Sequence, residues 1–93
     1  MIRSFADKET ERLAREGRSR RIPANIQFRA MQRLGQLALA TSLDDLRFPS
    51  SNRLECLHGD RKGQWSIRIN DQWRLCFRFD DGDAHGVEIV DYH

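Results

Sequence analysis

From residue 65 onward the apolar residues fall on every second position: Trp65, Ile67 and Ile69, then Trp73, Leu75, Phe77 and Phe79. A period of two marks strands with one buried face. Asn70-Asp71 between the two runs is a two-residue turn signal of the type hairpins prefer. Strands joined so tightly run antiparallel. Asp80-Asp81-Gly82-Asp83 is a second polar turn, and Val87 to Val90 forms a final strand. Leu54 and Cys56, alternating with Glu55 and Leu57, make an earlier one.

The first half of the chain has a different period. Asp7 is a helix N-cap, Glu9 and Glu11 sit in the first turn, and Gly17 supplies the stop, so a helix covers about residues 8 to 16. Its apolar stripe is thin, only Leu13 and Ala14. The bend Arg18-Ser19-Arg20-Arg21-Ile22 leads to Pro23, suited to the first turn of a second helix. There Ile26, Ala30, Leu34 and Leu37 recur with helical spacing, widened by Met31 and Ala38. Arg29, Gln32, Arg33 and Gln36 are expected on the other side. Thr41-Ser42 ends the helix, Leu43 to Leu46 adds a turn, and Pro49 to Asn52 is a loop. Ile2 to Phe5 reads as a short opening strand. The expected fold is α+β: two N-terminal helices covering one face of a four- to five-stranded, mainly antiparallel sheet, a single domain across residues 1–93.

The net charge of +2 hides a polarised chain. Between Arg12 and Arg33 lie seven arginines and one acid, Glu16, whereas from Asp80 to His93 there are five acids and no Lys or Arg. Arginine outnumbers lysine fourteen to two. Arg forks bind phosphate bidentately and stack on bases, although a GC-rich genome biases usage the same way. No apolar stretch approaches bilayer length and the N-terminus lacks a signal-peptide core, so the expected compartment is the cytoplasm. Cys56 and Cys76 lack ligand spacing and read as reduced core or sheet residues. His58, His85 and His93 are scattered, so neither a metal nor a cofactor is expected.

If the helices cover the Trp73/Phe77 face, the opposite face carries Arg68, Arg74 and Arg78. Like charges on neighbouring strands repel unless something compensates. Either an anion does so, or Glu55, Glu88 and Asp91 do as surface ion pairs. The loop His58-Gly59-Asp60-Arg61-Lys62-Gly63 adds further cation between two glycines. The chain closes on Val90-Asp91-Tyr92-His93, which gathers a carboxylate, a phenol and an imidazole. A terminal His is commonly a frayed surface residue. A catalytic reading has a chemical reason, however. RNA is cut without metal when its 2′-OH attacks the adjacent phosphate, which requires a base, an acid and cations around the transition state. Histidine suits the proton transfers near neutral pH, arginine the charge, and tyrosine stacks on a base.

The run from Gly59-Asp60-Arg61 through Trp73-Arg74 to Phe77, closed by Val90-Asp91-Tyr92-His93, resembles the HigB toxins of the RelE superfamily, the host-inhibition-of-growth or plasmid-maintenance toxins. The opening residues and the helix pair fit too, so the resemblance spans the chain. It implies a microbial-RNase-type fold and a bacterial type II toxin–antitoxin system. It also implies cleavage of mRNA in the ribosomal A site, with translation and growth inhibited. A cognate HigA-type helix-turn-helix antitoxin would hold the toxin in a hetero-oligomer, 2:2 or similar, and would alone contact operator DNA. Carried over by position, Arg74 steadies the scissile phosphate, His93 is the principal proton-transfer group, Asp91 positions or assists it, and Tyr92 stacks on or orients the nucleotide. His58, Arg61, Lys62, Arg68 and Arg78 are candidate RNA-binding residues. The sequence departs from the family in one place: His58 stands where many relatives carry Lys, and Glu55 where the family has a second histidine. The division of acid and base roles between His58 and His93 therefore stays open. Two other readings compete: a toxin of the same fold that occludes a protein target, as the gyrase-directed branch does, and an RNA-binding module without cleavage.

Overall fold

A computed structural model describes residues 1–92. Its framework is a four-stranded antiparallel sheet in sequential order, built from β1 (Glu55–Cys56), β2 (Trp65–Arg68), β3 (Trp73–Asp80) and β4 (Asp83–Asp91). The β3–β4 turn is Asp81-Gly82, with φ of 50° and 79°. Positive φ at both central residues gives the twist that a two-residue hairpin demands. The turn is thus tighter than the four-residue polar run implied, and β4 begins at Asp83, four residues before the expected Val87.

Between β2 and β3 the outcome is the reverse. The strands stop at Arg68 and restart at Trp73, so the link is longer than Asn70-Asp71 alone. Asn70 Oδ1 accepts from the backbone N–H groups of both Gln72 and Trp73, each at 2.8 Å. A side-chain acceptor stands in for a backbone turn, as Asn often does. The expected opening strand is only a pair of parallel bridges, Ile2 to Ala84 and Phe5 to Val87, along the outer edge of β4.

Helix α1 (Lys8–Glu16) starts and stops where its signals lie: Asp7 accepts from Thr10 N at 2.8 Å, and Gly17 takes the left-handed conformation at φ 80°. Helix α2 (Ala24–Leu39) is capped by Pro23 rather than begun by it. Gln27 Nε2 donates to the carbonyls of Ser19 and Ile22, both at 2.7 Å, which pins the arginine-rich bend against the first turn of α2. Both helices pack on the sheet face formed by Ile67, Leu75, Phe77 and Val87, where Leu13, Ile26, Leu34 and Leu37 complete the core. No helix among the described residues is long and apolar enough to cross a membrane.

Arg33 is a correction to the sequence reading. It is only 3% exposed, because 26, 30, 33 and 37 share one helical stripe, and polarity was no guide to where it points. Its Nε donates to the Arg68 carbonyl at 2.7 Å, beyond the end of short β1, so the guanidinium satisfies an edge that no strand covers. Burial, then the neighbouring charges of Arg29 and Arg68, hold its pKa below the ordinary arginine value.

Candidate active site

The pleat sends Ser66 and Arg68 of β2, Arg74 and Cys76 of β3, and Glu88 and Val90 of β4 to the sheet face away from the helices. That face is not free. Arg53 and the turn over residues 61–64 lie against it, and Ser66, Arg74 and Cys76 are buried. Arg74 lies on the face expected of it, but buried rather than at the surface: it is 7% exposed.

Three hydrogen bonds fix the Arg74 guanidinium. Nε donates to Ser66 Oγ at 2.7 Å, and Nη2 donates to the Arg53 carbonyl at 2.6 Å and to the Ser66 carbonyl at 3.4 Å. Arg53 has φ 45°, a backbone bend at the residue whose carbonyl meets Arg74. Nη1 has no hydrogen-bond partner among the described residues. The Tyr92 ring lies against the same guanidinium, 5.9 Å from Cζ to the ring centroid, within the range of a cation–π contact. Tyr92 is held in turn through its backbone, whose N–H donates to the Gln72 carbonyl at 2.6 Å.

Arg61 joins this cluster from the 3₁₀ turn Gly59–Arg61. Its Nη1 reaches Glu88 Oε1 at 2.7 Å and Gln64 Oε1 at 3.1 Å. The Glu88 hydrogen bond, and further the negative character of Glu88, Cys76 and Tyr92, raise the Arg61 pKa against the opposing cost of burial. Arg61 and Arg74 are thus two permanent cations in one cluster with Tyr92, and among the described residues only Arg61 is paired with a carboxylate.

The other candidates are more dispersed. Asp91 pairs in register with Trp73, and the pleat places it on the face opposite Arg74; Gln72 Nε2 donates to both of its oxygens at 3.1 and 3.2 Å. Arg68 is ion-paired to Asp71. Arg78 lies beside Gly63, where an added Cβ would meet its Nη1 at 2.8 Å, and Gly63 itself sits at φ 91°. His58 and Lys62 are exposed at either end of the 3₁₀ turn. His93 lies outside the described residues. No group of His, Cys, Asp and Glu that could hold a metal occurs among the described residues.

Sequence reasoning missed Ser66 and the Arg53 carbonyl. Ser66 was findable, since it lies diagonally across the hairpin from Arg74 on one pleat; the carbonyl leaves no trace in residue identity. Cys76 fills the floor of the cluster. Burial, opposed by Arg61, assisted by Glu88 and opposed again by Arg74, pushes its pKa up to about 11. Reaction of the folded chain with iodoacetamide at pH 8 should therefore modify the exposed Cys56 and leave Cys76 intact, with both modified after unfolding. Rapid double labelling of the folded chain would contradict the buried assignment.

The comparisons with known proteins bear on the whole chain. The family described as RelE-like toxin of type II toxin–antitoxin system HigB matches residues 3–93. Endoribonuclease HigB of Proteus vulgaris is 37% identical over 93 residues, covering 100% of both chains. Toxin HigB-1 of Vibrio cholerae is 41% identical over 85 residues, covering 90% of each. Among solved structures, a YafQ mutant from E. coli superposes with a TM-score of 0.60 at 16% identity over 98% of this chain and 91% of that one. A YoeB–YefM complex from Staphylococcus aureus gives a TM-score of 0.53 at 15% identity over 100% and 98%. With the helix pair on an antiparallel sheet already established, these relationships show that the chain belongs to the HigB family of RelE-like toxins of type II toxin–antitoxin systems.

Proposed function

We propose that this toxin is an endoribonuclease that cleaves mRNA in the ribosomal A site by metal-independent acid–base chemistry. The observation that carries the reading is the Arg74 guanidinium, locked by three hydrogen bonds with Nη1 left over and the Tyr92 ring against it. A cation held rigidly in a buried site stabilises charge that develops in a transition state without reorganising. The name of the Proteus vulgaris relative supports the same activity.

In the proposed step the 2′-OH loses its proton to a base and attacks the adjacent phosphorus. The bond to the 5′-oxygen breaks, and that oxygen takes a proton from an acid. One strand becomes two ends, a 2′,3′-cyclic phosphate and a 5′-hydroxyl, with no water consumed. Arg74 balances the extra negative charge on the phosphorane-like centre, Arg61 binds the RNA beside it, and Tyr92 stacks against the nucleotide. His93 is the principal proton-transfer group, and His58 is the second candidate. Asp91 acts through its neighbours, since its face of the sheet is not that of Arg74. Lys62, Arg68 and Arg78 track the flanking backbone. A HigA-type antitoxin holds the toxin inactive in a hetero-oligomer.

Induction of the chain in a bacterial host, followed by primer extension on abundant messages, tests this. The expected result is growth arrest with discrete cuts confined to translated reading frames, relieved by co-expression of the protein encoded by the adjacent gene. Intact mRNA with accumulated double-strand DNA breaks would instead support occlusion of a protein target.

A further inference from the structure

Two large apolar side chains stand almost fully in solvent on one helix: Phe28 at 76% and Leu39 at 84% exposure. Phe28, Gln32, Gly35 and Leu39 are spaced four, three and four residues apart on α2, so they form one straight ridge on its outer face. At about 1.5 Å per residue the ridge is roughly 16 Å long, three turns of helix. Gly35 makes a dent in its middle, with nothing within 4 Å of where a Cβ would be. An apolar ridge with a notch gives a partner segment two anchors and a place for close backbone approach.

Charge says what kind of partner fits. Helix α2 contains no acid. Arg29 follows Phe28 in the helix, and the Gln27 bonds to Ser19 and Ile22 hold the bend carrying Arg18, Arg20 and Arg21 against the first turn of α2, at the Phe28 end of the ridge. A second copy of this chain would set these arginines against their own kind. A nucleic acid would satisfy the arginines and leave Phe28 and Leu39 in water. An acidic amphipathic segment satisfies both.

We infer that the Phe28–Gly35–Leu39 ridge, with Arg29 and the arginines of the 18–21 bend at its end, is the docking surface for an acidic amphipathic segment of the cognate antitoxin. The inference rests on the toxin–antitoxin reading above and adds to it the surface and the chemistry of the segment. Because α2 packs on the sheet face opposite Arg74, changes on the ridge leave the candidate active site untouched.

The test is isothermal titration of the full chain with the protein encoded by the adjacent gene. Phe28→Ser combined with Leu39→Ser should weaken binding by at least about 30-fold, as loss of apolar anchors does. Gly35→Gln fills the dent without adding charge or removing any contact of the fold and should weaken binding comparably. Arg20→Glu with Arg21→Glu should weaken it further at low salt than at high salt. All three variants should retain growth arrest when expressed alone. Unchanged affinity in the Phe28/Leu39 and Gly35 variants, with tight binding by the unmodified chain, would overturn the surface while sparing the partner. Failure of the unmodified chain to bind at all would overturn the partner reading and this surface with it. Loss of ribosome association, with antitoxin affinity retained, would reassign the ridge to the ribosome.

Discussion

Arg74→Ala is expected to lower RNA cleavage by about 100- to 1,000-fold and to abolish growth arrest, the scale seen when one preorganised donor to a developing anion is removed. The substitution also leaves the Ser66 hydroxyl and the Arg53 carbonyl without the guanidinium they share. Leaving the buried Ser66 hydroxyl unpaired costs roughly 1–3 kcal/mol, so the variant should be less stable as well as inactive. Arg74→Lys separates the two effects. Lysine keeps the charge but not the planar fork that reaches both partners while leaving Nη1 for phosphate. It should therefore recover part of the lost stability and little of the activity. Thermal unfolding, read beside cleavage on programmed ribosomes, checks both. Full cleavage by folded Arg74→Ala would remove the arginine from the reaction.

Phe77→Ala is expected to have the largest effect on the fold. Phe77 is the largest fully buried side chain and lies on the sheet face that both helices cover. Truncating a core Phe costs about 3–5 kcal/mol, a large fraction of the roughly 5–15 kcal/mol that holds a small domain together. For a chain of this length that corresponds to a fall in Tm on the order of 15–30 °C. Thermal melts followed by circular dichroism measure it. A fall of less than about 5 °C would mean that the core is not organised around this ring.

The alternation of Trp65 to Phe79 and the spacing of Ile26 to Leu37 made the sheet and its covering helix legible, because burial of one face is written directly into period. The limits of α1 were equally plain, since Asp7 and Gly17 act on their own helix ends. What escaped were features that depend on tertiary neighbours. Arg33 goes inward because an uncovered carbonyl waits at the end of β2, and nothing local to α2 announces it. The burial of Arg74 was not legible, because the Arg53 carbonyl and the turn over residues 61–64 that lie against its face carry no period of their own. The candidate site was half legible. Arg74, Tyr92 and Arg61 were named from the sequence and lie together in the structure, while their dependence on Ser66, the Arg53 carbonyl and Glu88 appears only once the strands are in register. Asp91 shares the chain's closing run with Tyr92, yet strand alternation parts it from Arg74.

In the proposed reaction the 2′-OH of RNA, and not a water molecule, attacks phosphorus beside Arg74. End-group analysis of fragments made by the purified chain on translating ribosomes tests this directly. The expected products are 5′-hydroxyl ends paired with 2′,3′-cyclic phosphates; 5′-phosphate ends paired with 3′-hydroxyls would contradict attack by the 2′-OH.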